Sequence, residues 1–281
     1  MPELPEVEIT ARRLDAALRG VEVESVMAPG VNALRSFDPP LSKLHGRAFA
    51  GVRRRGKLFL IDFAGDFTLV VHLMSAGRLQ LFDKRAGPRD RTSRLLVRLP
   101  GDRELRLREF GTKQAAWVKL LSTDAVIDDE VFLNMGPEAW PDPPPFDELL
   151  AEPRPLHSLL RDQHVIAGIG RSWVDEILWH ARLSPFKRGD DLSLEESQEL
   201  RAQTVATVGA VVDHYERVID LPIPDKLPMP LQVHRRQGEP CPRCGTKLEA
   251  VFYEDYVMTY CPAEQTEGRV LKDRRLSRLL K

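Results

Sequence analysis

The stretch KLFLIDFAGDFTLVVHLMSAGRLQLF, residues 57–82, decides the fold of the first half of the chain. It contains three runs of β-branched, aromatic and leucine residues, separated by turns such as Ala64-Gly65-Asp66. Similar runs recur on both sides of it, from Val21 to Leu121. The eight predicted strands are 21–27, 47–54, 57–63, 66–73, 77–82, 93–99, 103–107 and 114–121. Short strands at this spacing predict a β-sandwich.

A helix is predicted before the first strand. Pro5 suits the first turn of a helix, and Glu6 and Glu8 would interact favourably with its positive end. Apolar residues recur at helical spacing at Val7, Ala11, Leu14 and Leu18, and Gly20 marks the end. We expect this helix to hold Pro2 in one place.

The second half has a helical pattern. Five prolines between Pro137 and Pro145 indicate a linker. Helical segments at 156–163 and 171–182 flank a glycine-containing turn at 165–170. Ser193 and Glu196 then predict a capping box for a helix that ends near Ile219.

The composition is that of an ordinary soluble protein, with 42% apolar and 30% charged residues in 281. No apolar run approaches the ~20 residues of a membrane helix, and the N-terminus lacks a signal-peptide pattern. Three cysteines favour metal binding in a reducing compartment over disulfides. We therefore expect a cytoplasmic protein.

The net charge of −1 conceals strong segregation of charge along the sequence. Residues 43–57 contain six basic and no acidic side chains, and residues 84–119 contain eleven basic and four acidic ones. Residues 122–162 show the opposite bias. Such a pattern permits a local cationic face for DNA phosphates, although solvated surface charge is an equally good explanation.

The N-terminal Met1-Pro2-Glu3 is suited to amine chemistry. Methionine is normally removed before a small residue, which would leave Pro2 as a free secondary amine with a pKa near ~8. Such an amine is able to attack C1′ of a deoxyribose and form an iminium. The neighbouring Glu3 carboxylate is placed to move protons. A proline that only starts a helix is the simpler alternative.

The three cysteines have the spacing of a zinc ribbon. Cys241-Pro242-Arg243-Cys244 is followed after sixteen residues by Cys261-Pro262-Ala263-Glu264. The repeated knuckle predicts a structural zinc bound by Cys241, Cys244 and Cys261, with the Glu264 carboxylate as fourth ligand. A surface glutamate beside a weakened or metal-free finger is the alternative.

The N-terminal MPELPEVE and the C-terminal ribbon together resemble the formamidopyrimidine-DNA glycosylase and endonuclease VIII family, along nearly the whole chain. The resemblance implies that Pro2 is the nucleophile and that Glu3 protonates the sugar ring oxygen. Glu6 matches a supporting acidic position. Lys57 matches a lysine that contacts the damaged nucleotide's phosphate and assists departure of the base.

The family extrudes the damaged nucleotide and fills the gap in the duplex with side chains from two loops. Arg108 and Phe110 match the arginine and phenylalanine of one loop. In the other loop Met74 stands one place before the family's methionine position, which Ser75 occupies. For Met74 and Phe110, burial in the core is the alternative.

The segment 157–176 resembles the family's helix–two-turns–helix element. Backbone N–H groups of Ala167–Gly170, including those of Gly168 and Gly170, are expected to bind a phosphate. Two positions depart from the family pattern, with His157 in place of a lysine and Arg171 in place of an asparagine. On the ribbon, Tyr256 replaces an arginine.

The resemblance implies an α+β fold with a leading helix and a β-sandwich, then a helical domain with helix–two-turns–helix, and a zinc-ribbon-like finger. The predicted ranges are 1–121 for the catalytic domain, 122–155 for the linker, 156–230 for the DNA-binding domain, 231–266 for the finger and 267–281 for a basic tail.

The resemblance also implies a monomeric bifunctional DNA glycosylase and AP lyase of base excision repair. Its partner is damaged double-stranded DNA, from which it removes oxidised purines (8-oxoguanine, formamidopyrimidines) before β/δ-elimination. Leu4 favours the purine enzymes, whereas the short proline-rich stretch 221–231 keeps oxidised pyrimidines open. A non-catalytic damaged-DNA binder is the rival from another class, but it would have no need of Pro2, Glu3 and Lys57 together.

Overall fold

The computed structural model describes residues 2–87, 90–110, 114–253 and 256–272. The chain forms two compact units, one of Met1–Asn134 with Val212–Pro228 and the other of Met135–Val211 with Met229–Lys281. Residues 212–228, which the sequence analysis groups with the DNA-binding domain, thus cluster with the first unit. Within the described residues, no helix has the length and apolar character to cross a membrane.

The first unit contains the predicted leading helix and all eight predicted strands, so the β-sandwich is confirmed. The elements are α1 (Leu4–Leu18), β1 (Ser25–Met27), β2 (Phe49–Arg55), β3 (Leu58–Phe63), β4 (Phe67–His72), β5 (Gly77–Phe82), β6 (Ser93–Arg98), β7 (Glu104–Glu109) and β8 (Trp117–Ser122), with α2 (Glu130–Leu133) and 3-10 turns at Val31–Ala33, Leu41–Leu44 and Asp124–Val126. The strands form two antiparallel sheets, ordered β1-β6-β7-β5 and β2-β3-β4-β8.

Both sheets and α1 contribute to one apolar core. Phe59 and Ile61 of one sheet and Leu105 and Leu107 of the other are fully buried in it. Helix α1 adds residues of its apolar stripe such as Leu14, which is 0% exposed. Because truncation of a buried leucine to alanine usually costs about 2–5 kcal/mol, this packing fixes the position of the N-terminus.

The second unit is mainly helical and ends in the finger. Its elements are α3 (Phe146–Leu149), α4 (Leu156–Leu159), α5 (Arg171–His180), a 3-10 turn (Gly189–Asp191), the first part of α6 (Leu194–Val218), β9 (Glu249–Phe252), β10 (Val257–Tyr260) and α7 (Pro262–Gln265). The Ser193–Glu196 capping box is confirmed, with the Ser193 N–H donating to Glu196 Oε2 at 2.8 Å and the Glu196 N–H donating to Ser193 Oγ at 3.1 Å.

Helix α4 ends earlier than the predicted residue 163. The Asp162 carboxylate accepts a hydrogen bond from the His164 N–H at 3.0 Å, and the Asp162 carbonyl accepts one from the Val165 N–H. An aspartate that bonds its own backbone two residues on favours a turn over a helix. The chain therefore turns at Asp162 towards α5.

Candidate active site and nucleic-acid-binding residues

The N-terminal residues expected to carry the chemistry are held by a buried chain of hydrogen bonds. Glu3 caps α1 and is 1% exposed. Its backbone N–H donates to Glu6 Oε2 at 2.8 Å, and Glu6 Oε1 accepts a hydrogen bond from the Tyr215 hydroxyl at 2.9 Å. Glu6 therefore braces Glu3 from the interior, and Pro2 precedes this fixed point.

Tyr215 is a site residue that the sequence analysis missed. It lies 209 residues from Glu6 along the chain and is fully buried. Burial, together with the adjacent Glu6 carboxylate, raises the pKa of Tyr215 above its ordinary range. The hydroxyl thus stays protonated at neutral pH and donates its hydrogen bond to Glu6.

Lys57 lies directly after Gly56, whose φ of +56° makes the turn between β2 and β3. The Lys57 side chain is largely buried, with 9% exposure. His72 pairs with Leu58 across β3 and β4, which brings the imidazole near Lys57. Burial, with the positive charges of Lys57 and Arg35, lowers the pKa of His72 to about 4. A neutral histidine therefore accompanies the lysine at neutral pH.

Met74 lies in the turn between β4 and β5 rather than in the core. Its backbone has a φ of +49°, which is uncommon for a residue other than glycine, and its side chain is partly exposed. Ser75 is exposed beside it. Met74 is therefore not one of the buried core residues, and its role as a gap-filling residue stays a prediction.

Arg108 and Phe110 lie together at the end of β7. The Arg108 guanidinium carbon is 4.6 Å from the Phe110 ring centroid, and Phe110 is only partly buried. Between them Glu109 is 2% exposed and accepts hydrogen bonds from the N–H groups of Ala115 and Ala116. Glu109 thus links the end of β7 to the residues that directly precede β8. Gly111 of the predicted motif lies outside the described residues.

The proline-rich segment after α6 is attached to β5 and β7. Gln80 donates to the Ile223 carbonyl at 2.6 Å and to Asp225 Oδ1 at 3.1 Å. Asp225 Oδ1 also lies 3.4 Å from Arg108 Nη1. Arg78 donates to the Asp225 carbonyl. The short proline-rich stretch 221–231 is therefore linked through Asp225 to Arg108, the arginine expected to fill the gap in the duplex.

Many cations of the two basic segments already have carboxylate partners. Arg54 pairs with Glu8 at 2.6 Å with its side chain 7% exposed, and Arg106 pairs with the buried Glu104 at 2.6 Å. Arg53 pairs with Asp62 at 2.7 Å. Side chains held in this way contribute less to phosphate binding than the sequence count suggests. Fewer side chains of residues 43–57 and 84–119 are thus available to bind phosphates than the number of basic residues in the sequence predicts.

The glycine turn before α5 uses some of its N–H groups internally. The Ala167 N–H donates to the Pro137 carbonyl at 2.8 Å, and the Gly168 N–H donates to Gln163 Oε1 at 2.9 Å. Gly168 has a φ of +109° and is needed for the turn. The Gly168 N–H thus already has a partner within the protein, and the phosphate contact through it stays a prediction. Gly170 is the N-cap of the ten-residue α5.

His157 faces the interior. It is 2% exposed, and its Nε2 lies 3.2 Å from Oδ1 of the buried Asp175, whose Oδ2 lies 2.7 Å from His234 Nδ1. Burial and the nearby Asp175 carboxylate leave His157 poorly placed for a phosphate contact, which stays a prediction. Sequence alone gave no sign of Asp175, which accepts an additional hydrogen bond from the Thr259 N–H at 3.0 Å.

Tyr256 lies directly before β10 and belongs to an aromatic stack. Its ring is 4.3 Å from that of Tyr253, with an interplanar angle of 10°, and 5.7 Å from the His157 ring, at 12°. The guanidinium carbons of Arg161 and Arg171 lie 4.1 Å and 5.4 Å from the Tyr256 centroid. The departures at 157 and 171 thus both lie against the ring of the third departure, Tyr256.

The three cysteines come together as predicted. The sulfur atoms of Cys241, Cys244 and Cys261 all lie within 4.8 Å of one another. A tetrahedral zinc with ~2.3 Å bonds needs sulfurs ~3.8 Å apart, so the cluster fits one metal ion. Burial raises the pKa of the Cys261 thiol to about 12 in the absence of metal. Hydrogen bonds from Thr246 lower the pKa of Cys244.

Glu264 does not join this group of ligands. Its Oε2 accepts a hydrogen bond from Arg243 Nη1 at 3.0 Å and lies 3.1 Å from Arg182 Nε. The Arg243 guanidinium also lies 4.2 Å from the Trp179 ring. The expected fourth ligand is thus engaged by two arginines, since α7 directs its carboxylate towards the first knuckle's Arg243.

Two family models match the chain. The formamidopyrimidine-DNA glycosylase N-terminal domain matches residues 1–112, and the formamidopyrimidine-DNA glycosylase H2TH domain matches residues 142–220. Among curated proteins, the chain is 35% identical over 269 residues to the formamidopyrimidine-DNA glycosylase of Moorella thermoacetica, covering 89% of this chain and 94% of the relative. It is 33% identical over 290 residues to that of Thermus thermophilus, covering 95% and 100%.

Solved structures of Lactococcus lactis Fpg share the fold. Its complex with DNA that contains N7-benzyl-Fapy-dG has a TM-score of 0.83 at 27% identity, covering 94% of this chain and all of that one. Its complex with DNA that contains an abasic site also has a TM-score of 0.83, at 26% identity, covering 94% and 99%.

Proposed function

Because the chain belongs to the formamidopyrimidine-DNA glycosylase family, we propose that it is a bifunctional DNA glycosylase and AP lyase acting on oxidised purines in duplex DNA. The observation that carries this proposal is the N-terminal arrangement. Pro2 immediately precedes Glu3, which is buried and braced through Glu6 and Tyr215. A protein that only binds DNA would have no need of this arrangement at its N-terminus.

The reaction follows from the residues in that arrangement. After removal of Met1, the Pro2 nitrogen attacks C1′ of the damaged nucleotide and displaces the base. Glu3 protonates the sugar ring oxygen, so that the ring opens to an iminium. Loss of a proton from C2′ then expels the 3′ phosphate, and a second elimination expels the 5′ phosphate. The ammonium group of Lys57 binds a phosphate of the extruded nucleotide and favours departure of the base.

The lesion must leave the duplex before Pro2 reaches it, and its place must be filled. Arg108, Phe110 and Met74 are the proposed fillers. Arg108 is tied to Asp225, Met74 lies on an exposed turn, and Phe110 is partly exposed against Arg108. The relatives are named formamidopyrimidine-DNA glycosylases, and this name supports oxidised purines rather than oxidised pyrimidines as the proposed substrates of this chain.

The finger is proposed to be a structural zinc site formed by Cys241, Cys244 and Cys261. Zinc would link the first knuckle to β10 and α7 and so fix the finger. Given its arginine partners, Glu264 is proposed as a clamp on Arg243 and not as the metal ligand. Metal analysis of purified protein, with Cys244→Ser as control, tests the zinc.

The proposed enzyme acts as a monomer on chromosomal DNA in the cytoplasm. The direct test is a cleavage assay on duplexes that contain 8-oxoguanine, a formamidopyrimidine, an oxidised pyrimidine or an abasic site. The proposal expects cleavage of both purine lesions and the abasic duplex, with the oxidised pyrimidine slower. Binding to all four duplexes without cleavage of any would refute it in favour of a non-catalytic binder.

A further inference from the structure

The stack around Tyr256 combines aromatic residues of the finger with two arginines from outside the finger, Arg161 and Arg171. The finger hairpin, residues 249–260, contains three acidic residues and no lysine or arginine. Its aromatic pair, Tyr253 and Tyr256, instead lies against Arg161 and Arg171. Arg161 follows α4 by two residues, and Arg171 begins α5. The hairpin itself has no lysine or arginine, but its Tyr256 ring packs against two arginines from outside it.

Arg161 differs from the other arginines of its surroundings. Arg154 is paired with Glu152 and Asp162, each at 2.8 Å, and Arg188 is paired with Asp190. Asp162 is adjacent to Arg161 in sequence but bonds Arg154 instead. Among the residues that the structure describes, the contact of the Arg161 guanidinium is the face of Tyr256. Contact with an aromatic face leaves the guanidinium N–H groups able to donate at its edge.

We propose that Arg161, held on the Tyr256 ring beside Arg171, is a DNA phosphate-binding residue of the second unit. The inference rests on the proposed function and identifies the donor. The planar guanidinium matches two oxygens of a phosphodiester, and the ring holds it without neutralising its charge. His157 does not supply this charge, because its Nε2 faces Asp175 inside the unit. The Tyr256 ring of the hairpin positions the guanidinium, and Arg161, which follows α4, provides its positive charge.

The test measures binding of the full-length protein to a duplex with a tetrahydrofuran abasic analogue, over a series of salt concentrations. Arg161→Ala should weaken binding about three- to tenfold and reduce the slope of log K against log salt by about 0.9, the value for one phosphate contact. Arg161→Lys should keep the slope. Arg188→Ala is the matched control, since it removes an equal charge from the same unit and should leave the slope unchanged.

The tyrosine variants separate the ring from its hydroxyl. Tyr256→Phe keeps the face that holds Arg161 and should bind as wild type does, whereas Tyr256→Ala should weaken binding about as much as Arg161→Ala. Thermal unfolding of each variant checks that it is folded. If a folded Arg161→Ala protein has the slope of the Arg188→Ala control, Arg161 only packs the finger and the proposal is wrong.

This outcome is distinguishable from failure of the proposed enzyme activity. Borohydride trapping on abasic DNA, at low salt and saturating protein, depends on the Pro2 amine and not on Arg161. The Arg188→Ala control, which lies outside the proposed binding residues, should give the wild-type yield of adduct under those conditions. A wild-type protein that binds the analogue but gives no adduct would refute the enzyme activity and leave the Arg161 proposal standing.

Discussion

The two units of the molecule differ in how closely they keep the residues expected of the family. The first unit keeps Pro2, Glu3 and Lys57 at the positions where the family motif expects them, and Glu3 and Lys57 are buried. The second has a buried His157 and an arginine-bound Glu264 where a phosphate contact and a metal ligand were expected. Covalent chemistry needs one particular atom at one place, whereas several kinds of donor in several positions serve to bind a phosphate.

The largest effect should come from Glu3 in the first unit. Glu3→Gln keeps the size of the side chain but removes its proton-transfer ability, so base excision should fall about 10²- to 10⁴-fold. Cleavage of a preformed abasic site should fall much less, because the abasic sugar is already partly open. Single-turnover assays on both substrates measure this difference, and the exposed Glu22→Gln is the control. Equal losses on the two substrates would mean that Glu3 only caps α1.

The second effect is the contribution of His72 to the pH dependence of the free energy of unfolding. Its pKa is about 4 in the folded protein and near 6.5 when unfolded, so between these values the unfolded chain binds the additional proton. Stability should therefore fall as the pH decreases through this window, by up to about 3 kcal/mol. His72→Gln should remove that part of the dependence in urea unfolding, and His214→Gln should not. An unchanged pH dependence in His72→Gln would contradict the burial of a neutral imidazole beside Lys57.

A smaller effect is expected for Tyr215, which braces the catalytic end of α1. Tyr215→Phe leaves the buried Glu6 carboxylate without one donor, which should cost about 1–3 kcal/mol. The excision rate at saturating substrate should also fall, with little change in KM, because Glu3 loses its support and DNA contacts remain. Urea unfolding and steady-state kinetics measure the two effects. A loss of stability with an unchanged rate would restrict Tyr215 to a structural role.

The smallest effect is expected for Glu264 in the second unit. If its carboxylate only pairs with Arg243 and the exposed Arg182, Glu264→Gln should cost under about 1 kcal/mol. The zinc content should stay at the wild-type level, whereas Cys244→Ser should lower it. Loss of zinc from the Glu264→Gln protein, measured by metal analysis, would identify Glu264 as the fourth ligand after all.

Local patterns were sufficient to predict most of the fold. The strands, α1 and the Ser193–Glu196 capping box depend on residues within a few positions of one another, and all are present. Helix α4 was predicted too long because the apolar periodicity continues through Asp162, whose side chain turns the chain. The cysteine cluster was predictable because its spacing reflects the geometry of the ligands.

The contacts between distant residues were not predictable in this way. His157 and Tyr256 are 99 positions apart in the sequence, and nothing in either neighbourhood indicates that their rings stack. The same is true of Tyr215 with Glu6. A family resemblance assigns a role to each position separately. It gives no information on new contacts of a substituted side chain, such as that of His157 with Asp175.

The central claim is that the first unit performs the chemistry through the Pro2 amine. Borohydride reduction of the protein on abasic DNA, followed by mass spectrometry of the linked peptide, tests it most directly. We expect a protein that lacks Met1, with the DNA remnant attached to the peptide that begins at Pro2. Attachment at a lysine such as Lys57, or an active protein that retains Met1, would contradict it.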